Sequence, residues 1–165
     1  MRFLLIDRIV ELSVGRMIVT EKALTLAEEY LADHFPRFPV MPGVLMVEAM
    51  VQSAAWLVRA STDFATSLIV LRRARNITYK SFIWPGEVLR VEVQAERIGR
   101  SESDFVGTGR VGDRQTVKAR LSLRHSNLAE EDADLAELDR QLVGHYRRQW
   151  ELLGGPRLLR PAASC

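Results

Sequence analysis

GVLMVEAMVQSAAWLVRA, residues 43–60, is apolar nearly all the way round when set on a helical repeat. Val44, Leu45, Met46, Val47, Ala49, Met50, Val51, Ala54, Ala55, Trp56, Leu57 and Val58 leave it no continuous polar face. A helix of that kind belongs in the middle of a fold, enclosed by other elements. The apolar run 40–58 also holds Pro42, Gly43, Glu48, Gln52 and Ser53. A bilayer span needs about 20 nearly uninterrupted apolar residues, so the run predicts a buried core helix and no membrane segment.

The flanks supply what encloses it. Before the helix runs HFPRFPVMPG (34–43), in which Pro36, Pro39 and Pro42 fix φ and remove donors, a rigid irregular loop. AEEYLAD (27–33) predicts a short helix ahead of it. Residues 3–12 and 17–23 read as strands of a hairpin turning at Ser13–Arg16. After a polar loop, STDFATS (61–67), four more strands are predicted over 68–79, 88–98, 103–111 and 116–124. Gly112-Asp113 is a two-residue hairpin signal. In the last strand Val117, Ala119, Leu121 and Leu123 alternate with Lys118, Arg120, Ser122 and Arg124. That period of two gives one buried and one wet face, as in an antiparallel sheet. The expected fold is therefore α+β, a curled antiparallel sheet of about six strands wrapped around a long buried helix.

The character changes at residue 125, so the chain divides into a sheet-and-helix domain, 1–125, and a C-terminal extension, 126–165. A helix is expected over 127–153, with Asn127 and Glu130 as a capping box. Leu135, Leu138, Leu142, Tyr146, Trp150 and Leu153 form one apolar stripe. Gly154-Gly155-Pro156 stops the helix, and RLLRPAASC (157–165) reads as a loose tail.

Composition narrows the classes. Of 165 residues 47% are hydrophobic and 27% charged, which excludes a disordered or collagen-like chain. Twenty-three basic against 21 acidic residues leave a formal charge of +2, too little to argue for nucleic-acid binding. The single cysteine, Cys165, excludes an intrachain disulfide framework. The first apolar run is broken at Asp7 and Arg8 and has no small-residue cleavage site. A cytoplasmic protein is expected.

Three residues stand where chemistry can be done. Glu48 lies within the apolar helix, with Gln52 one turn later on the same face. Burial disfavours a charged carboxylate, and a carboxyl held neutral can donate a proton. The alternative is a structural carboxyl paired with arginine or facing a polar loop. His34 enters the rigid loop and can act as a general base near neutral pH; a turn histidine bonded to a carbonyl is its other reading. Gly43, behind Pro42, opens a helix N-terminus whose unpaired N–H groups suit a developing oxyanion, or it is a plain helix-start glycine. A base, an acid and an oxyanion site suit proton abstraction next to a carbonyl with loss of a β-leaving group. His125 and His145 have no ligand-like spacing, so no metal is expected.

FLLIDRIVEL (3–12), HFPRFPVMPGVLMVEAMVQSAA (34–55) and YKSFIWPGEVLRVEV (79–93) together resemble the β-hydroxyacyl-acyl carrier protein dehydratases of the hot-dog fold, FabZ-like, from Phe3 to Arg124. The resemblance implies a reaction, the dehydration of (3R)-hydroxyacyl thioesters to trans-2-enoyl thioesters in fatty acid biosynthesis. By it, His34 matches the catalytic base and Glu48 the catalytic acid. The Gly43 N–H would polarise the thioester carbonyl, and Gln52 would support Glu48. Val40, Met41, Met50 and Phe82 would line the acyl tunnel. It further implies acyl carrier protein as partner, with the substrate on its phosphopantetheine, and no cofactor. It implies a homodimer with composite sites, assembled up to a hexamer as a trimer of dimers.

Two features depart from the family's pattern. Arg37 stands where a glycine is usual, at the tunnel mouth or toward the phosphopantetheine phosphate or the acidic carrier protein. The helix 127–153 is additional; its apolar stripe can cover the sheet, extend the dimer or bind a partner, and an ordinary covering helix is expected. The competing functions are a hot-dog thioesterase and a non-catalytic acyl-binding or structural hot-dog protein.

Overall fold

The computed structural model describes residues 4–33 and 37–159. His34 and the last six residues of the chain, Cys165 among them, lie outside the described residues. In chain order the elements are β1 (Arg8–Ser13), β2 (Met17–Ala23), α1 (Tyr30–Asp33), α2 (Gly43–Ser61), β3 (Leu68–Tyr79), β4 (Val88–Ile98), β5 (Glu102–Val111), β6 (Arg114–Ser126), α3 (Ala136–Leu152) and α4 (Gly155–Leu158). The six strands form one sheet in the order β1-β2-β4-β5-β6-β3, every neighbouring pair antiparallel. This is the expected α+β hot-dog architecture. By length and composition α2 could cross a membrane, but 67% of its most apolar window is buried inside the fold.

The sheet closes on α2 because its inner face carries the apolar set. Leu89, Val91 and Val93 of β4, Phe105 of β5 and Val117, Ala119, Leu121 and Leu123 of β6 are buried, as are Met50, Ala54, Leu57 and Val58 of α2. Burial of such side chains stabilises by about 1.5–3 kcal/mol each relative to exposure. Two glycines in β5 make room for close approach, Gly107 for the helix and Gly109 for side chains of the neighbouring strands. A Cβ on Gly107 would stand 2.8 Å from Met50 Sδ, and one on Gly109 2.7 Å from Val117 Cγ1. Glycine inside a strand marks such close approach.

Three expectations need correction. The strand expected from residue 3, which lies outside the described residues, is β1 only from Arg8 on. Residues 4–6 lie outside the ladder, and the Leu5 N–H turns to α2 instead, reaching Gln52 Oε1 at 3.0 Å. The short helix begins at Tyr30 rather than 27, since Glu28 N–H closes a turn onto the Thr25 carbonyl. Strand β3 does not share the alternation of one buried and one wet face that an antiparallel sheet predicts for each strand. It is an edge strand bonded on one side only, and Val70, Leu71, Ile77 and Tyr79 are all exposed.

The extension also differs. It opens as two 3₁₀ turns, Leu128–Glu130 and Ala133–Leu135, and α3 begins only at Ala136. The Asn127 N–H does bond Glu130 Oε1 at 3.1 Å, but this caps the first 3₁₀ turn. The buried stripe is rotated from the expected one: Leu138 is exposed and Asp139 is buried. The Asp139 carboxylate accepts from Ser67 Oγ and from the N–H groups of Leu128 and Ala129, both at 2.9 Å. Those bonds outweigh the effect of burial, which favours the neutral acid, and hold its pKa below the ordinary aspartate value. Farther along, Trp150 packs its ring 5.9 Å from Trp56 and 6.1 Å from Phe64. The tail is not loose as far as Leu158. Gly154, at φ +84°, breaks α3, Gly155–Leu158 is helical, and the Leu153 carbonyl accepts from Ile9 N–H of β1 at 3.0 Å.

Candidate active site

Glu48 sits half-buried on α2, one turn before Gln52, and the two are joined: Gln52 Nε2 donates to Glu48 Oε1 at 3.0 Å. The amide cannot turn over without loss, because its Oε1 already accepts the Leu5 N–H. A main-chain donor on the N-terminal segment thus fixes the amide, and the amide fixes one carboxylate oxygen. Among the described residues no hydrogen bond reaches the other oxygen. The pairing of Gln52 with Glu48 is thus present in the fold.

The carboxyl opens on a cavity of about 350 Å³. Leu4, Val51, Trp56, Arg59 and Ile69 line it from the sheet-and-helix domain, and Leu142, His145, Tyr146 and Gln149 close it from α3. Sequence reasoning did not place Arg59 or α3 here. The available signal was the spacing 48, 52, 59, which repeats on one helical face. That α3 folds back onto this face follows from tertiary packing and has no local signature.

Gly43 opens elsewhere. Five residues of helix separate it from Glu48, a rotation of about 140°. With Val40, Met41, Pro42, Val44, Met46, Tyr79, Lys80, Ser81 and Phe82 it lines a second cavity of about 500 Å³. Among the described residues no acceptor takes the Gly43 N–H, and no side chain caps the helix. A side chain at 43 has no room: its Cβ would lie 2.8 Å from the Tyr79 ring. The proline loop is tied in place where the Met41 N–H bonds the Ile83 carbonyl at 2.9 Å. The structure therefore gathers Val40, Met41, Phe82 and Gly43 into one cavity, and Glu48 and Gln52 into another.

Met50 lines neither cavity. It is fully buried against Gly107, on the side of α2 away from Glu48, and Met46 takes the place expected for it. Arg37 is exposed and also lines neither cavity. Beside it, Phe38 makes edge contacts with Phe82 and Trp84, centroids 5.5 and 4.4 Å apart. His34 lies outside the described residues. The described residues can thus hold a carboxyl in a fixed rotamer at one cavity and offer a helix-terminal N–H, unpaired among them, at another.

Comparison with known proteins gives consistent matches. Residues 1–118 match the family model of the FabA-like domain. The 3-hydroxyacyl-(acyl-carrier-protein) dehydratase FabZ of Chloroflexus aggregans is 38% identical over 119 residues, 72% of this chain and 83% of that protein. The protein of the same name from Gluconobacter oxydans is 38% identical over 122 residues, 73% of this chain and 72% of its own. Among solved structures, the dehydratase heterocomplex ApeI:P from Xenorhabdus doucetiae superposes with a TM-score of 0.66. It covers 81% of this chain and 90% of its own at 17% identity, a likeness of fold. Helix α3 lies beyond the 118 residues the family model matches.

Proposed function

The chain belongs to the FabA-like family, with the FabZ dehydratases as its relatives, and we propose that it dehydrates 3-hydroxyacyl thioesters carried on acyl carrier protein, in fatty acid biosynthesis. The observation that carries the reading is the tethered Glu48 carboxyl, fixed through Gln52 to the Leu5 N–H and open to a cavity. The substrate is the (3R)-hydroxyacyl thioester on phosphopantetheine and the products are the trans-2-enoyl thioester and water. The His34 imidazole takes the proton from C2. The electron pair forms the C2–C3 double bond as the C3–O bond breaks, and Glu48 protonates the departing hydroxyl. The Gly43 N–H bonds the thioester oxygen as charge gathers there. Elimination of water balances without an oxidant or reductant, so the reading needs no metal or redox cofactor.

The minimal unit is a homodimer, with a hexamer as three such pairs. Two features support this. The Glu48 carboxyl and the Gly43 N–H open on different cavities of one chain, so one site holding both draws on two chains. Strand β3 presents a 12-residue edge with exposed apolar side chains, which a second β3 can pair. We infer a cytoplasmic setting, which a single cysteine fits.

The test is the reverse reaction. Purified protein should hydrate crotonyl thioesters, seen as loss of enoyl absorbance, and light scattering should give a dimer or three dimers. His34→Ala and Glu48→Gln should each fold and lose that activity. Wild-type rates in both variants, or release of free thiol without hydration, would remove the dehydratase reading.

A further inference from the structure

Arg59 lies about three turns beyond Glu48 on the same face of α2, about 16 Å along the axis. It is 5% exposed. Its guanidinium stands 3.7 Å over the Tyr146 ring and 5.2 Å from the Trp56 ring centre. Stacking covers the face of the guanidinium and leaves its in-plane N–H groups to bond. Among the described residues no carboxylate pairs with it, and its Nε has no hydrogen-bond acceptor. Burial lowers its pKa to about 10, with Tyr146 opposing, so it is still a cation at neutral pH. The nearby His125 is buried too and supplies no negative charge.

A buried cation without a counter-ion is a costly arrangement unless an anion completes it. Here it borders a cavity whose other end is the Glu48 carboxyl. Tyr146 and its neighbours on α3 hold the guanidinium there, and that helix lies outside the family match.

We propose that Arg59 receives a carboxylate at the far end of the acyl chain, so that the preferred substrates are 3-hydroxyacyl thioesters ending in a carboxylate. The inference deepens the dehydratase reading and rests on it, because Glu48 takes the reacting end. The guanidinium fork matches a carboxylate in two parallel hydrogen bonds, which a methyl terminus cannot replace. Trp56, Ile69 and Leu142 line the cavity as apolar walls for the methylenes between the two ends.

The experiment separates this inference from its parent. Two saturated N-acetylcysteamine thioesters of one chain length, ending in a methyl group or in a carboxylate, are titrated calorimetrically into the full-length protein, Arg59→Met and Arg59→Lys. No turnover is involved, so the result is readable even if crotonyl thioester hydration fails. Wild type should bind the carboxylate-ended thioester tenfold or more tightly. Arg59→Met should lose the preference, and Arg59→Lys, which keeps the charge without the fork, should retain part of it. Equal binding by wild type overturns the proposal, as does a preference that survives Arg59→Met. Inorganic phosphate that binds the wild type while the two thioesters bind alike would assign the cation to a free anion and also overturn it. Should Arg59→Met not fold, the wild-type ratio and Arg59→Lys still decide.

Discussion

Gln52 holds Glu48 by one carboxylate oxygen, Nε2 to Oε1 at 3.0 Å, and is itself held by the Leu5 N–H. The chain of bonds couples the N-terminal segment to the acid. Gln52→Leu keeps the volume and removes both bonds. It leaves the Leu5 N–H unpaired, which costs about 1–3 kcal/mol. It also frees the carboxyl to turn, and a misplacement of about 1 Å can cost on the order of 100-fold in rate. The expected result is a folded protein whose kcat for crotonyl thioester hydration falls much more than its KM rises. A KM effect alone would show that Gln52 binds substrate and does not orient Glu48.

Asp139 is the anchor of the extension, taking three donors from Ser67, Leu128 and Ala129. Asp139→Ala strands all three and should destabilise by about 1–3 kcal/mol for the buried Ser67 hydroxyl, with less from the half-buried Leu128 and Ala129 N–H groups. Hydrogen exchange should rise in α3 while β4, β5 and β6 keep their protection. Acid should act in the same direction. The native pKa is lowered, so the carboxylate's contribution is complete above the ordinary value near 4 and is lost as pH falls through the lowered native value. Asp139→Asn should remove that part of the acid transition. Unchanged protection in α3 would show that the aromatic contacts of Trp150 suffice without the carboxylate.

The sheet and α2 were readable because periodicity reports burial directly: β4 and β6 alternate, and α2 is apolar all round. β3 broke the pattern because an edge strand has fewer inward neighbours, which no residue in LIVLRRARNITY announces. α3 shows the limit of pattern on one element. Leu138 and Asp139 compete for the inward position, and apolarity favours the leucine. Three donors waiting on a 3₁₀ turn and on Ser67, 72 residues away, decide for the aspartate. Glu48 and Gln52 were legible as a pair because four residues on a helix are neighbours. Their tie to Leu5 and the cavity wall from α3 join parts of the chain that only the fold brings together.

His125 should make the protein acid-sensitive. Burial first, then the Arg59 charge, lowers its pKa below the ordinary value, against a smaller pull from Glu102. The unfolded chain therefore binds the proton more readily than the native one as pH falls through about 6.5. Stability should be full above that value, fall as pH drops through it, and level off below the native pKa. His125→Gln, uncharged at every pH, should flatten the curve between about pH 5 and 7, as measured by urea unfolding across that range. A wild-type curve flat over the same range would mean that the imidazole titrates alike in both states.

Gly107 tests whether sheet-to-helix distance governs the acid. Its missing side chain accommodates Met50, whose Sδ would lie 2.8 Å from an added Cβ. Met50 is fully buried in the core, so its side chain must repack to admit the methyl. Gly107→Ala should therefore cost about 1–3 kcal/mol by overpacking. Met50→Ala alone should cost about 2–5 kcal/mol through its cavity. In the double variant the new methyl enters the space the thioether vacated, so the two costs should fall short of their sum by about 0.5–3 kcal/mol. The activity follows the same logic. Glu48 and Gln52 flank Met50 on the far side of α2, so a helix pushed outward by Gly107→Ala should carry the carboxyl off its mark and lower kcat. Met50→Ala in the same chain should restore part of it. Additive free energies together with an unaffected kcat would mean that α2 tolerates the extra methyl without moving, and that Gly107 does not set the position of the acid.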